Sequence, residues 1–129
     1  MSTRSLTRIW DKGEILVTLY KHYDGYPEGY GLELAKFIDG YKILNGILLK
    51  THENKKLANG MGCFAAQLIA YFKQEVGDIY IEPNNISLGE EYIYDVWNTD
   101  DGIMMAIREV DEIKKDIYKP KDFILTFSK

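Results

Sequence analysis

The sequence has 129 residues, of which 46% are hydrophobic and 28% charged; this excludes a disordered or fibrous chain and predicts one globular domain over residues 1–129. Its formal net charge of −4 argues against duplex DNA or RNA as a partner, because binding either needs a basic surface, but it permits a small anionic ligand held by local cations. No apolar run has the length of a transmembrane helix and no signal peptide precedes the first predicted strand, so we expect no membrane partner and a cytoplasmic location.

The N-terminal part predicts a β-hairpin. Residues 3–10 and 15–21 contain β-branched and aromatic side chains and flank a turn that includes Gly13. Alternation along the second strand places Tyr20 and His22 on the same face. Because both faces of that strand carry apolar side chains, we expect it to be central in its sheet.

Residues 22–31, with the sequence HYDGYPEGYG, contain one histidine, two carboxylates, three tyrosines, three glycines and a proline. They lie between the second strand and a predicted helix over residues 32–38, which ends before Gly40. A connection needs only a glycine or two, and functional groups concentrate in loops that a rigid scaffold positions. This segment is therefore the candidate functional site of the sequence.

The middle of the chain predicts two further helices. One is short, over residues 41–50, and an exposed polar loop follows it over residues 51–56. The other is amphipathic, because apolar side chains recur at helical spacings from Met61 to Phe72. Cys63 lies within it, and we expect a buried packing thiol there and not a nucleophile.

The last third of the chain predicts three strands and then a short helix or a closing strand. These elements span residues 78–82, 91–97, 103–108 and 119–127. A turn over residues 83–89 joins the first two strands, and a hairpin over residues 98–102 joins the next two. The order of two strands, helices and three strands predicts an α+β fold, with an antiparallel sheet of about five strands and helices packed on one face.

Two stretches carry a resemblance to a known family. The sequence starts with MSTR, and HYDGYPEG follows the first hairpin at residues 22–29. In both it resembles a family of small proteins of bacteriophages and mobile elements that share an MSTR-type start and an H-[WY]-D-G-Y-P-E-G box. Weaker similarity continues through residues 63–70 and the tyrosine-rich strands near Tyr80 and Tyr92. The resemblance implies an origin in a phage and no particular activity.

Residues 22–31 allow three interpretations. In the first interpretation the segment is a structural corner, in which Asp24 caps the helix, Gly25 takes a positive φ and Pro27 fixes the first turn. As a reactive site, His22 acts as acid or base with Asp24 or Glu28, or His22 and Asp24 bind a metal. No third metal ligand lies nearby, and no phosphate-loop or nucleophile-elbow motif is present, so we predict no metal, no cofactor and no catalytic residues.

The third interpretation, a ligand pocket, is the one we adopt. Tyrosines stack on planar bases, amides at helix N-termini receive anions, and arginines pair with phosphates. The predicted ligand-binding residues are Arg4, Tyr20, His22, Asp24, Tyr26 and Glu28.

These residues predict a non-enzymatic binder of a small anionic, base-bearing ligand in a bacterial host cell. A phage protein of this kind would act as a counter-defence sponge that sequesters a nucleotide signal of bacterial immunity. A homo-oligomer suits that role, since pockets between subunits enclose a ligand fully, although no sequence feature demands one. Two alternatives stay open: a protein-interaction module that inhibits a host defence enzyme, and a His/Asp-dependent nucleotide hydrolase.

Overall fold

The computed structural model describes residues 2–44 and 56–128. Three helices are present in these ranges: α1 (Leu32–Ile38), α2 (Gly60–Phe72) and α3 (Pro120–Phe127). A π-helical turn, Pro27–Gly31, runs directly into α1. The strands are β1 (Ser5–Asp11), β2 (Glu14–Lys21), β3 (Lys42–Leu44), β4 (Leu57–Asn59), β5 (Tyr80–Glu82), β6 (Tyr92–Thr99), β7 (Gly102–Glu109) and β8 (Asp116–Tyr118).

Six strands form one sheet in the order β5-β2-β1-β6-β7-β8, and β3 and β4 form a small sheet of their own. In the large sheet β1 and β6 are parallel, and the other neighbours are antiparallel. The α+β prediction is confirmed, and so is the interior position of β2. The sheet nevertheless has six strands and not five, and it is mixed, because β5 and β6 lie on opposite sides of the first hairpin.

The three helices cover one face of the large sheet, which we call the helix face. Strand side chains on this face, such as Ile9, Leu19 and Val96, belong to the same buried cluster as α1, α2 and α3. Two large side chains in this cluster, Tyr94 of β6 and Phe123 of α3, are fully buried. The apolar side chains that alternate along the central strands therefore form one core with the apolar sides of the helices.

The opposite face of the sheet, the second face, is partly covered by residues 83–91, which we call the crossing segment. This segment carries the chain from β5 to β6. Thr18 Oγ1 donates a hydrogen bond to Asn84 Oδ1 (3.0 Å), so the segment lies across β2. Leu6 and Ile93, which pair across β1 and β6 on this face, are only 2% and 3% exposed. The predicted turn over residues 83–89 is therefore part of a longer segment that covers this face of the sheet.

Several local predictions hold and others are wrong. The amphipathic helix is confirmed as α2, and the hairpin that joins β6 to β7 is confirmed. The predicted helix over residues 41–50 is wrong at Lys42–Leu44, where parallel pairing with Leu57–Asn59 makes a strand. Tyr41 is described and is not helical, whereas residues 45–50 of that prediction, and the predicted loop as far as residue 55, lie outside the described residues.

Two further differences concern the helices and the sheet edge. Cys63 is exposed and its thiol donates to Gln67 Oε1 (3.2 Å), so the prediction of a buried thiol is wrong. The helical period turns Met61, Phe64 and Leu68 toward the core, and Cys63 lies on the other side. β8 was not predicted, because three residues at a sheet edge show no usable alternation. Within the described ranges, no helix is long and apolar enough to span a membrane.

Candidate functional site

The segment over residues 22–31 builds a corner that is locked to the sheet. Gly25 N donates to Thr3 O (2.9 Å), and the Tyr94 hydroxyl donates to Gly25 O (2.7 Å). The hydroxyl of Tyr30 shares a hydrogen bond of 2.7 Å with Thr7 Oγ1. Burial raises the pKa of both Tyr30 and Tyr94 above the ordinary tyrosine value. These two phenols are therefore structural groups inside the core.

The corner differs from its prediction in two details. Asp24 does not cap the helix: the position before the π-helical turn is Tyr26, and no side chain caps it. Asp24 instead offers its carbonyl oxygen to Tyr30 N (2.9 Å). The positive φ belongs to Asp24 (58°) and not to Gly25. Aspartate adopts the left-handed region more readily than most residues other than glycine.

A groove on the second face brings three of the predicted residues together. In β2, Tyr20 lies on this face opposite Leu6 of β1 and Tyr80 of β5. His22 follows two residues later on the same face, as the sequence predicts. The groove has a volume of about 320 Å³ and is lined by Arg4, Tyr20, His22, Tyr80, Glu82 and Leu88.

His22 is held by neighbouring tyrosines. The hydroxyl of Tyr20 and Nδ1 of His22 are 2.6 Å apart and share a hydrogen bond. The ring of Tyr23 packs edge-on against the imidazole, with 4.6 Å between the ring centroids. Among the described residues Nε2 of His22 has no hydrogen-bond partner. This nitrogen can therefore donate to an anion, or accept from a donor, once the tautomer adjusts.

Arg4 enters the groove from the chain that precedes β1. Its Nη1 donates to the carbonyl oxygen of Leu88 (3.1 Å), so the crossing segment holds the guanidinium in place. Glycine at position 89 leaves room for the guanidinium, because a Cβ there would lie 2.8 Å from Nη1, and its φ of 73° also favours glycine. Within residues 2–44 and 56–128 the other guanidinium N–H groups have no protein acceptor. Arg4 thus presents free donors on a fixed planar group, which suits a carboxylate or phosphate.

The middle of the groove is aromatic. The rings of Tyr20 and Tyr80 lie with centroids 5.9 Å apart and an interplanar angle of 45°. Lys73 at the end of α2 holds its ammonium 5.7 Å from the centroid of the Tyr80 ring and donates to Ile79 O (3.1 Å). One tyrosine ring is thereby fixed by a cation and the other by His22, so both are oriented before any ligand arrives.

The carboxylate of Glu82 lies beyond the two tyrosines. Glu82 pairs with Thr18, two residues along β2 from Tyr20, and its side chain lines the groove. In the part of the chain that the structure describes, this carboxylate has no hydrogen-bond or ion-pair partner. Glu82 is therefore an acceptor that a ligand can use.

The structure separates the other predicted site residues from this groove. The side chain of Asp24 is exposed, and Tyr26 is 38% exposed at the corner. Glu28 lines a different groove with Tyr92 and Arg108. Arg4, Tyr20 and His22 thus form one site, whereas Asp24, Tyr26 and Glu28 do not line it.

Tyr80, Glu82 and Leu88 also line the groove and were not predicted from the sequence. Alternation in β5 places Tyr80 and Glu82 on one face, but only the pairing of β5 with β2 brings them to Tyr20. No group of three or more metal-binding side chains comes together in the described ranges. The groove is a site of aromatic and hydrogen-bonding groups.

A scan against protein-family models, a search of curated proteins and a search of solved structures each gave no match.

Proposed function

We propose that this protein binds a small anionic ligand that carries a planar ring, in the groove lined by Arg4, Tyr20, His22 and Tyr80, and releases it chemically unchanged. The observation that carries this proposal is the meeting of two fixed tyrosine rings with a guanidinium that has free donors. The groove volume of about 320 Å³ lies within the range of small-molecule sites.

The anion belongs at the end of the groove where Arg4 and His22 lie. Arginine pairs with carboxylate or phosphate oxygens through two parallel hydrogen bonds. Nε2 of His22 adds a further donor when Nδ1 accepts from the hydroxyl of Tyr20. A planar ring then packs against Tyr20 and Tyr80, and such stacking contributes about 1–3 kcal/mol per base.

Sequestration of a nucleotide signal is the cellular role we assign to this binding. Support comes from the resemblance of the sequence to a family of phage and mobile-element proteins, since a phage benefits from removing such a signal. A sponge needs tight binding and no turnover. Anion-pairing, stacking and acceptor groups account for the groove without a nucleophile or a metal.

The first experiment is a thermal-shift screen of the purified chain against nucleoside monophosphates, cyclic dinucleotides and cyclic trinucleotides. A ligand at a hundred times its dissociation constant should stabilise the protein by about 2.7 kcal/mol. Mass spectrometry of the released ligand then separates two outcomes. An intact ligand supports the proposal, whereas a converted ligand identifies an enzyme and refutes the proposal. The absence of any shift across the panel would refute a nucleotide site.

A matched pair of variants locates the binding. Tyr80→Ala removes a ring of the groove, and we expect it to weaken binding of the best ligand about 5-fold to 150-fold, the equivalent of one stacking contact. Tyr71→Ala removes a similarly exposed tyrosine of α2 outside the groove, and we expect unchanged binding. Isothermal titration measures both. Equal losses in the two variants would place the ligand elsewhere on the molecule.

A further inference from the structure

The two ends of the groove, which runs along β2, differ in charge. Arg4 and His22 lie at one end, the rings of Tyr20 and Tyr80 are in the middle, and Glu82 lies at the other end. His22 is four residues from Thr18, the partner of Glu82, so the two ends are about 13 Å apart at 3.3 Å per residue. An extended nucleoside phosphate has a length of this order.

From this difference between the ends we infer that the groove selects ligands whose ring carries an amino group on the side opposite the anion, as in cytosine, adenine or guanine nucleotides. This inference rests on the proposed function of the same groove. Glu82 is an acceptor without a donor in the described part of the chain. An ionised carboxylate accepts hydrogen bonds and cannot donate them. The group that meets it must therefore bring an N–H.

The same carboxylate also works against the wrong ligands. A uracil or thymine ring presents a carbonyl oxygen where cytosine presents its amino group, and an oxygen facing a carboxylate is repelled. A phosphate is repelled likewise, which disfavours the reverse orientation of the ligand. Specificity in proteins often combines one attractive contact with one repulsive contact at the same position.

Two cations, Arg4 and Lys73, favour this orientation. Arg4 is the cation at the end opposite Glu82. The Lys73 ammonium lies over the Tyr80 ring and is already bonded to the Ile79 carbonyl, so it holds the ring and adds positive potential beside it. Hydrogen bonds to a charged partner are stronger than neutral ones, so a ring amino group gains more from the Glu82 carboxylate than from a neutral acceptor.

The test compares cytidine monophosphate with uridine monophosphate, which differ in the ring substituent that would meet Glu82. Adenosine and inosine monophosphate form a second pair of the same kind. We expect the wild-type chain to bind the aminated member at least about tenfold more tightly in each pair, as isothermal titration measures it. Equal affinities within both pairs would overturn the inference and leave the proposed function standing.

Two variants assign the preference to one carboxylate. Glu82→Gln offers both a donor and an acceptor, so we expect it to bind both members of a pair with affinities within about threefold of each other. Glu28→Gln makes the same charge change in the other groove, and we expect it to keep the wild-type preference. Melting curves without ligand check that both variants fold.

The remaining outcomes separate the two ideas. A preference that survives Glu82→Gln would show that another group reads the ring, and the inference fails. If no monophosphate and no cyclic nucleotide binds the wild type, the proposed function fails and the inference fails with it.

Discussion

At the scale of single residues, Gly25 shows how a site can depend on the absence of a side chain. A Cβ at this position would lie 2.7 Å from Ser5 Cβ and 2.9 Å from Thr3 O. Gly25→Ala must therefore push the corner away from β1, and we expect the free energy of unfolding to fall by about 1–3 kcal/mol. Chemical denaturation followed by circular dichroism measures this loss.

Gly62→Ala is the matched control for that variant. Gly62 lies in α2, is exposed, and a Cβ there would meet nothing within 4 Å. Alanine restricts the unfolded chain and favours a helix, so we expect the free energy of unfolding to rise by about 0.5–1 kcal/mol. The same substitution should thus have opposite signs at the two sites. A stabilising Gly25→Ala would contradict the close packing of the corner.

These residues also mark what the sequence can predict of the site. Tyr20 and His22 share a face because strand alternation is a local rule, and the structure keeps that relation. The role of Gly25 depends on Ser5, and the role of Tyr80 depends on the partner that β5 selects. Contacts of this kind are set by tertiary structure, so no pattern within a short window reveals them.

At the scale of elements, α3 closes the core beside α1. Phe123 is fully buried, and its ring packs against Phe127 with 4.4 Å between centroids. Phe123→Ala would leave a cavity between α3 and the sheet, and we expect a loss of about 3–5 kcal/mol in the free energy of unfolding. Leu125, on the opposite side of α3, is 69% exposed. We expect Leu125→Ala to change stability by less than about 0.5 kcal/mol.

Urea denaturation of the two α3 variants checks this assignment. Similar losses for Phe123→Ala and Leu125→Ala would mean that both sides of α3 are buried, which would contradict the exposure of Leu125.

The long periodic helix α2 and the hairpin of β6 and β7 were predictable because each is encoded locally. The parallel pairing of β1 with β6 was not, because it joins segments that are distant in the chain.

At the scale of the whole molecule, two buried phenols link stability to alkaline pH. Burial raises the pKa of Tyr30 and Tyr94 above the ordinary value of 10.0, which the unfolded chain recovers. Below pH 10 both the folded and the unfolded chain keep these two phenol protons, so the contribution of the phenols to the free energy of unfolding does not change with pH. Above it the unfolded state releases them first, so each phenol should lower the free energy of unfolding by about 1.4 kcal/mol per pH unit.

We therefore expect stability to fall steeply above the ordinary tyrosine pKa, with a tyrosinate absorbance step that accompanies unfolding. Tyr94→Phe loses its hydrogen bond to Gly25 O and about 1 kcal/mol at neutral pH, but its alkaline slope should be shallower than that of the wild type. Tyr23→Phe removes an exposed hydroxyl and is the matched control for the tyrosine-to-phenylalanine substitution. Denaturant midpoints measured at several pH values below and above pH 10 give the slope of the free energy of unfolding against pH. An undiminished slope in Tyr94→Phe would mean that this phenol ionises inside the folded protein, which is incompatible with its place between the corner and the core.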